Sequence, residues 1–175
     1  MKTWSMAAAA LLVPGTAWAQ DETVVITGSV AQRAADEAPY AISVLGSGAL
    51  RSAGPMVNLS EALVQVPGLV ANNRNNHAQD LQISSRGFGA RAGFGVRGIR
   101  LHADGIPATG PDGQGQVSHF DIAGAQRVEV LRGPFSVLYG NSSGGVIAIF
   151  SAPPKERAVE AGIDAGSFGL VQGRA

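Results

Sequence analysis

The stretch RVEVLRGPFSVLYGNSSGGVIAIFS, residues 127–151, constrains the fold more than any other part of the chain. It opens as a strand that ends at Gly133-Pro134, where proline can occupy the first turn of a helix over Phe135 to Tyr139. Gly144-Gly145 then permits a tight turn into Val146 to Phe150, a continuous apolar run typical of a buried strand. The pattern therefore predicts a strand, a short helix and a second strand in close succession.

Short strands and helices alternate along the rest of the chain as well. Asn58-Leu59-Ser60-Glu61 has the form of a capping box, and it predicts a helix that ends at Pro67-Gly68 with one apolar face: Leu59, Ala62, Leu63 and Val66. Further elements are predicted as strands at Tyr40 to Leu45, Asp80 to Ser85 and Ile99 to Ala103, and as a short helix at Gly48 to Ala53. We therefore predict a compact α+β domain.

The balance of charge and the lack of cysteine exclude several classes of function. The 175 residues carry 13 basic and 13 acidic side chains, so the formal net charge is zero and gives no reason to expect nucleic-acid binding. Without cysteine the chain has no disulfide, no thiolate metal site and no thiol nucleophile. The 24 glycines and 6% aromatic residues are typical of a turn-rich domain that contains β-structure.

The first 19 residues have the features of a signal peptide. Lys2 gives a positive charge, Met6 to Val13 form an apolar stretch too short to span a bilayer, and Ala17-Trp18-Ala19 matches the site that signal peptidase reads. We predict cleavage after Ala19; a buried N-terminal helix is the alternative. Because no later run of 18 apolar residues follows, the sequence predicts a bacterial periplasmic, outer-membrane or secreted product.

Residues 20–37 combine an extended stretch with a polar, alanine-rich linker. Thr23 to Thr27 is β-branched at every position, which favours an extended backbone, and the sequence offers it no neighbouring hairpin partner. Ser29 to Ala38 is typical of a tether. Two interpretations stand: a displayed strand that pairs with another chain, or an ordinary first strand of the domain.

Beyond Pro153-Pro154 the pattern changes to alternation. Val159, Ala161, Ile163 and Ala165 alternate with polar or small residues, and Ser167 to Gly169 can turn the chain into Leu170 to Gln172. Such alternation is typical of a transmembrane β-hairpin, and a surface hairpin of a soluble domain fits the pattern equally well.

Motifs for cofactor or metal chemistry are weak. Gly93 to Gly98 matches G-x-G-x-x-G, but an extended run follows where a dinucleotide site needs a helix, so a nucleotide-binding enzyme is only a third hypothesis. The histidines at 77, 102 and 119 are too far apart in sequence for a local metal site, and no carboxylate pair or Ser-His-Asp set has catalytic spacing. We predict no enzyme activity, no cofactor and no metal.

Five arginines lie in or at the ends of predicted strands: Arg86, Arg97, Arg100, Arg127 and Arg132. A strand arginine needs a carboxylate partner or a polar wall to satisfy its five N–H donors. An exposed sheet face near Glu129 is one interpretation, and the lumen of a large barrel is the other.

Several motifs, in the right order, resemble the N-terminal part of TonB-dependent outer-membrane receptors. The motifs are a TonB box at Glu22 to Thr27, a first plug helix at Asn58 to Gly68, and three plug motifs at Ser85 to Gly89, Leu101 to Pro107 and Arg127 to Ile149. Ala148, where the family often has asparagine, and Ser84-Ser85, where an apolar residue before the arginine is usual, depart from the family pattern.

The resemblance implies a plug domain, a mixed sheet with short helices that closes a 22-stranded barrel. It implies that TonB adds a strand to the box, with contacts at Glu22, Thr23, Val24, Val25, Ile26 and Thr27. It also implies contacts between acids of the barrel wall and Arg86 and Arg132, with Glu129 as their neighbour. Candidate positions that face the substrate are Arg91, Arg97, His102 and Asp112.

These motifs divide the chain into a signal peptide (1–19), a TonB box and linker (20–37), a plug domain (38–152) and the first strands of an incomplete transmembrane barrel (153–175). We expect the plug portion of an outer-membrane transporter for a ferric siderophore or another iron chelate. Because 22 membrane strands of about 9 to 11 residues need more than about 200 residues, we expect a fragment of a longer receptor or an orphan plug. The alternative function is a soluble periplasmic domain that binds TonB without transport.

Overall fold

The structure of the chain is a computed structural model that describes residues 24–25, 33–34, 38–76, 80–133, 135–140, 142–154 and 161–174. Its main element is a five-stranded sheet. In their order across the sheet, the strands are β3 (Ala41–Gly46), β10 (Ala125–Arg132), β11 (Gly145–Ser151), β7 (Ile99–Ala103) and β8 (Ile106–Pro107). Since β11 and β7 run parallel and the other neighbours antiparallel, the sheet is mixed, and the predicted α+β class is confirmed.

One face of this sheet carries the hydrophobic core. Val128 and Val130 of β10 and Ile147 of β11 lie on it, next to Ile99 and Leu101 of β7. Two helices pack on this core: α1 (Ser47–Ala53) and α2 (Leu59–Leu63). The four apolar residues predicted for the face of α2 are all buried: Leu59, Ala62, Leu63 and Val66.

Helix α2 begins where the sequence predicted it and for the predicted reason. The Asn58 side chain accepts the N–H of Ser60, and the Glu61 carboxylate accepts the backbone N–H groups of Met56, Val57 and Asn58. The helix is shorter than expected because Leu63 is its last residue and turns carry the chain on to Pro67. The capping box therefore fixes where the helix starts.

Smaller strand pairs complete the described part of the fold. Strand β4 (Leu69–Asn72) pairs with β5 (Gln82–Ser85), and β6 (Val96–Arg97) pairs with β9 (Gln114–Gly115). A short helix, α3 (Ser136–Tyr139), lies between β10 and β11, as the sequence predicted.

The N-terminal extended stretch has a hairpin partner, contrary to the expectation from the sequence. Strand β1 (Val24–Val25) pairs antiparallel with β2 (Arg33–Ala34), with Val24 opposite Ala34 and Val25 opposite Arg33. The pairing escapes sequence analysis because a two-residue ladder has no alternating pattern of its own.

Residues 162–174 form the predicted hairpin. Strand β12 (Gly162–Ala165) pairs antiparallel with β13 (Val171–Arg174) around a 3₁₀ turn at Ser167–Gly169. Ile163 and Val171 are 80% and 75% exposed on one face, while Asp164 lies opposite Gln172 on the other face. Among the described residues, no helix has the length and apolar character needed to cross a membrane.

Candidate functional site

Two of the arginines predicted to contact a barrel wall converge on the turn between α2 and β4. The guanidinium of Arg132 donates from one terminal nitrogen to the carbonyl oxygen of Pro67 at 2.6 Å and from the other to Oγ of Ser43 at 3.1 Å. Arg86 lies on the other side of this turn, where its backbone N–H donates to the carbonyl of Gly68 at 3.1 Å. The two arginines therefore share one location, although they are far apart in sequence.

The side chains of these two arginines differ in burial and in how many hydrogen bonds they make within the chain. Arg86 is exposed and its backbone has a positive φ of 49°, which turns the chain sharply after β5. Arg132 is half-buried, and both of its terminal nitrogens already have partners within the chain. Arg86 is therefore the freer of the two for a contact with another surface.

Glu129 corrects the sequence-based expectation. It was expected next to Arg86 and Arg132 at a wall contact, but it is fully buried (0% side-chain exposure) and its Oε1 accepts Nε–H of Arg127 at 2.7 Å. The physical reason is strand alternation: Arg127 and Glu129 are two residues apart on the same face of β10, whereas Arg132 lies on the core face. The Arg127 guanidinium also covers the ring of Phe150 at 4.0 Å.

A second group of predicted residues lies on the loops around β6 and β9. Arg97 and Asp112 approach to 4.0 Å with side chains 58% and 62% exposed, so the structure brings these two candidates together in a weak surface ion pair. Gly95 has a φ of +59°, and a Cβ at this position would lie 2.5 Å from the carbonyl oxygen of Gly115. Glycine is therefore required where the two loops approach each other.

The other two substrate-facing candidates are placed differently. Arg91 is exposed on the loop that precedes β6. His102 is half-buried in β7, with its ring edge-on to Tyr139 of α3 at 5.2 Å between centroids. Burial lowers the pKa of His102 below its usual 6.5, against the opposing effect of a hydrogen bond with the Gly105 backbone.

The predicted TonB box is described only in part. Val24 and Val25 are extended in β1, whereas Glu22, Thr23, Ile26 and Thr27 lie outside the described residues. A strand from another chain would pair with the backbone N–H and C=O groups of β1. Strand β1 already uses groups of this kind to pair with β2.

Two features of the structure were missed by sequence reasoning. The first is a cleft of about 350 Å³ beside the start of α2. Its lining includes the apolar residues Leu81 and Phe120 and the polar residues Asn58, Asn73 and Asp80. The second is a clamp in which the Asp104 carboxylate accepts both the backbone N–H and the hydroxyl of Ser151, each at 2.7 Å. No sequence pattern signals either, because both join residues far apart in the chain.

The G-x-G-x-x-G match at Gly93 to Gly98 leads into strand β7, not into a helix. The helix N-terminus that would hold a pyrophosphate is therefore not formed at this position. In the part of the chain that is described, no group of three or more His, Asp or Glu side chains is arranged to hold a metal ion.

Comparisons with known proteins agree with this architecture. A family model described as "TonB-dependent Receptor Plug Domain" matches residues 34–146, which is more than half of the chain. The pesticin receptor of Yersinia pestis is 32% identical over 161 residues, covering 87% of this chain and 23% of the relative. The hemin receptor of Yersinia pestis is 31% identical over 129 residues, covering 73% of this chain and 18% of the relative.

A solved structure is similar over the same region. The crystal structure of the ferric yersiniabactin uptake receptor FyuA from Yersinia pestis matches with a TM-score of 0.55 and 28% identity, over 71% of this chain and 18% of that protein. The chain thus spans about a fifth of the length of the relatives it matches. From the family match and the mixed sheet together, we conclude that the chain belongs to the TonB-dependent receptor plug domain family.

Proposed function

We propose that this chain is the plug portion of an outer-membrane receptor that takes up a scarce nutrient as an iron chelate, a ferric siderophore or hemin. The observation that carries the proposal is the match of the plug model to residues 34–146. Its relatives include a hemin receptor and a ferric yersiniabactin uptake receptor, which supports an iron chelate as the substrate class. In this proposal the protein acts as a gated receptor in the outer membrane and not as an enzyme.

The gate is operated through residues 22–27, with TonB pairing its own strand with this segment. Main-chain pairing needs an extended backbone with free N–H and C=O groups and makes few demands on side chains. The extended backbone of Val24 and Val25 supports this role. TonB contacts at Glu22, Thr23, Ile26 and Thr27 are part of the same proposal.

Val25→Pro tests the gate, because proline lacks the N–H that a strand ladder needs. We expect the variant to lose binding to purified TonB in a calorimetric titration. Ala38→Pro is the matched control, since it introduces the same residue outside the box and should leave binding unchanged. Equal binding of Val25→Pro and the unaltered chain would refute the assignment of the box.

Substrate contacts are proposed for Arg91, Arg97, His102 and Asp112. Arg97 carries a positive charge that Asp112 offsets only weakly at 4.0 Å, so it is available to a carboxylate or another oxygen donor of an iron chelate. His102 would contribute an imidazole ring. In a receptor that carries this plug, Arg97→Ala should weaken binding of hemin or a ferric siderophore about tenfold, the value of one charge-assisted hydrogen bond.

Arg51→Ala is the control for this substitution, because Arg51 is exposed on α1 and lies outside the loops around β6 and β9. A fluorescence-quenching titration measures the dissociation constants. Unchanged binding by Arg97→Ala would remove the loops around β6 and β9 from the substrate site, and unchanged binding by His102→Ala would remove strand β7 from it.

Two further parts of the proposal concern the membrane-embedded receptor. Arg86 and Arg132 contact acidic groups of the barrel wall, and residues 153–175 begin the barrel with the hairpin of β12 and β13. The exposed apolar face of that hairpin, with Ile163 and Val171, supports a position against lipid.

A further inference from the structure

Strand β3 is the first strand of the main sheet and lies at its edge. It pairs with β10 on one side, and on the other side no described strand pairs with it. The chain enters β3 at Ala41, directly opposite Arg132 of β10. A force applied to the N-terminal segment therefore reaches the main sheet first at the pairing of Ala41 with Arg132.

Few buried side chains hold β3 in the sheet. Of its six residues only Leu45 is buried, and it lies near the far end of the strand. Ala41, Ile42 and Ser43, at the end where the chain enters, are only partly buried. Apolar packing therefore contributes least where the pulled chain enters the sheet.

Arg132 supplies the side-chain hydrogen bonds at this weakly packed end, next to Tyr40, whose ring packs edge-on against Phe135 at 5.2 Å just before β3. Arg132 donates to Oγ of Ser43 at 3.1 Å and to the carbonyl oxygen of Pro67 at 2.6 Å, so its guanidinium joins β3 to the turn after α2. Both contacts are hydrogen bonds from a charged donor, which are stronger than neutral ones. Lysine could not reproduce the arrangement, because its one ammonium lacks two separated planar donors.

We propose that Arg132 is a latch: through Ser43 it sets how readily the N-terminal segment detaches β3 from the sheet. Pulling Ala41 away from β10 breaks the ladder one pair at a time, which needs less force than breaking all pairs together. Within β3, the bond between Arg132 and Ser43 is the first side-chain hydrogen bond on this path, and it follows the ring contact of Tyr40 with Phe135. The inference rests on the proposed function, in which TonB pairs with residues 22–27, and it adds that the paired TonB pulls on this segment.

Detachment of β3 also uncovers a polar group. Val44 of β3 lies opposite Glu129, whose carboxylate is fully buried beside Arg127. Once β3 leaves, water reaches this ion pair from the open edge and solvates both charges. The new edge of the sheet thus carries charges, which disfavour pairing with a second copy of the chain.

Hydrogen exchange of the 175-residue chain, followed residue by residue by NMR, tests the latch without TonB. Ser43→Ala removes the acceptor and Arg132→Lys removes the paired donors. Each should accelerate exchange of the protected amides of β3 about tenfold, the equivalent of one charge-assisted hydrogen bond, and leave the amides of central strand β11 within about twofold.

The controls are Ser84→Ala, a half-exposed strand serine in β5, and Arg51→Lys, an exposed arginine in α1. Both should leave the exchange of β3 unchanged. Equal acceleration of β3 and β11 by Ser43→Ala would show that Arg132 only adds general stability, and it would overturn the proposal. No acceleration in either variant would overturn it as well.

Mechanical unfolding tests the direction of release. Since the chain has no cysteine, Gln20→Cys and Pro154→Cys provide unique attachment points for optical tweezers. Ser43→Ala should lower the force of the first opening event, and an unchanged force would overturn the latch. The Val25→Pro titration with TonB is independent of both measurements, so failure of the gate and failure of the latch are distinguishable.

Discussion

Glu129 lies in the middle of β10, and its carboxylate receives the Nε–H of Arg127 while Phe150 covers the guanidinium. A buried carboxylate is tolerable only when its charge is compensated, because transfer from water costs several kcal/mol. Ala148 lies opposite Glu129 in β11, and both residues are fully buried. Ala148 thus lies directly beside this buried ion pair.

Glu129→Gln should be strongly destabilising. The substitution keeps the shape of the side chain but removes the charge, so the largely buried Arg127 guanidinium loses its counter-ion. We expect a loss of about 3 kcal/mol in the free energy of unfolding, measured by urea titration. Asp112→Asn, at the exposed pair with Arg97, should cost less than about 0.5 kcal/mol. Equal effects of the two variants would contradict the importance of burial at Glu129.

Asp104 gives a prediction about pH. The hydrogen bonds from the Ser151 backbone N–H and then the Ser151 hydroxyl lower the pKa of Asp104 below its ordinary 3.8. A lowered carboxyl pKa means that the charged form is favoured in the folded state, so the clamp is fully formed above pH 3.8 and opens as pH falls through the lower folded value. Its stabilising effect is therefore confined to pH values above the folded pKa.

The titration of the Asp104 carboxyl carbon by ¹³C NMR measures this pKa directly. Its midpoint should lie below 3.8 in the unaltered chain. Ser151→Ala should move the midpoint only part of the way back, because the backbone N–H is the larger cause and remains. A midpoint at or above 3.8 in the unaltered chain would show that the clamp is not formed in solution.

Core positions were predictable from the sequence, and polar partners were not. The apolar face of α2 follows from helical periodicity, and Val128 and Val130 follow from strand alternation. Arg127 and Glu129 have the spacing of neighbours on one strand face, so their pair could have been inferred from the same alternation. Arg132 and Ser43 could not, because their contact depends on which strands are neighbours in the sheet.

At the scale of elements, glycines determine how closely β10 and β11 approach. Gly145 begins β11 with a φ of +117°, and a Cβ there would collide with the carbonyl oxygen of Leu131. Gly48, in contrast, lies exposed in α1 with no atom within reach of a new Cβ. Replacing glycine by alanine should therefore stabilise the fold at position 48 and destabilise it at position 145.

Gly48→Ala should raise the free energy of unfolding by about 0.5 kcal/mol, since alanine loses less backbone entropy on folding. Gly145→Ala should lower it by at least about 2 kcal/mol, because both the positive φ and the collision oppose the new methyl group. Thermal unfolding followed by circular dichroism gives both values. A tolerated Gly145→Ala would mean that the turn before β11 is looser than the structure has it.

Elements with several residues of regular pattern were predicted well, and two-residue elements were not. The existence of β3, β7, β10, β11 and both strands of the C-terminal hairpin follows from apolar or alternating runs. The pairs β1 with β2 and β6 with β9 contain two residues per strand, and these lengths are too short for any periodicity to show. Their formation depends on loops brought together by the rest of the fold.

At the scale of the whole molecule, the C-terminal hairpin should respond differently to water and to a membrane. Ile163 is 80% exposed, so Ile163→Lys should change the free energy of unfolding in water by less than about 0.5 kcal/mol. In a receptor that carries this plug, the same charge would face lipid and cost about 2–4 kcal/mol. Gln172→Lys, on the polar face of the hairpin, is the matched control.

Assembly in the outer membrane, measured by heat-modifiable migration of the folded receptor, compares the two variants. Ile163→Lys should reduce the assembled fraction, and Gln172→Lys should not. The reverse result would place the polar face toward lipid and contradict the proposed orientation of the hairpin.

If TonB binds residues 22–27 as proposed, the pairing of β1 with β2 should affect that binding. Val25 pairs with Arg33, and a strand supplied by TonB competes with β2 for an edge of the same short segment. Arg33→Pro removes a backbone donor from β2 and should raise TonB affinity, by up to about fivefold if the ladder contributes about 1 kcal/mol. Arg33→Ala keeps the donor and should change affinity little. Weaker binding of Arg33→Pro would show instead that β2 presents the box to TonB, so that the hairpin prepares the segment for binding.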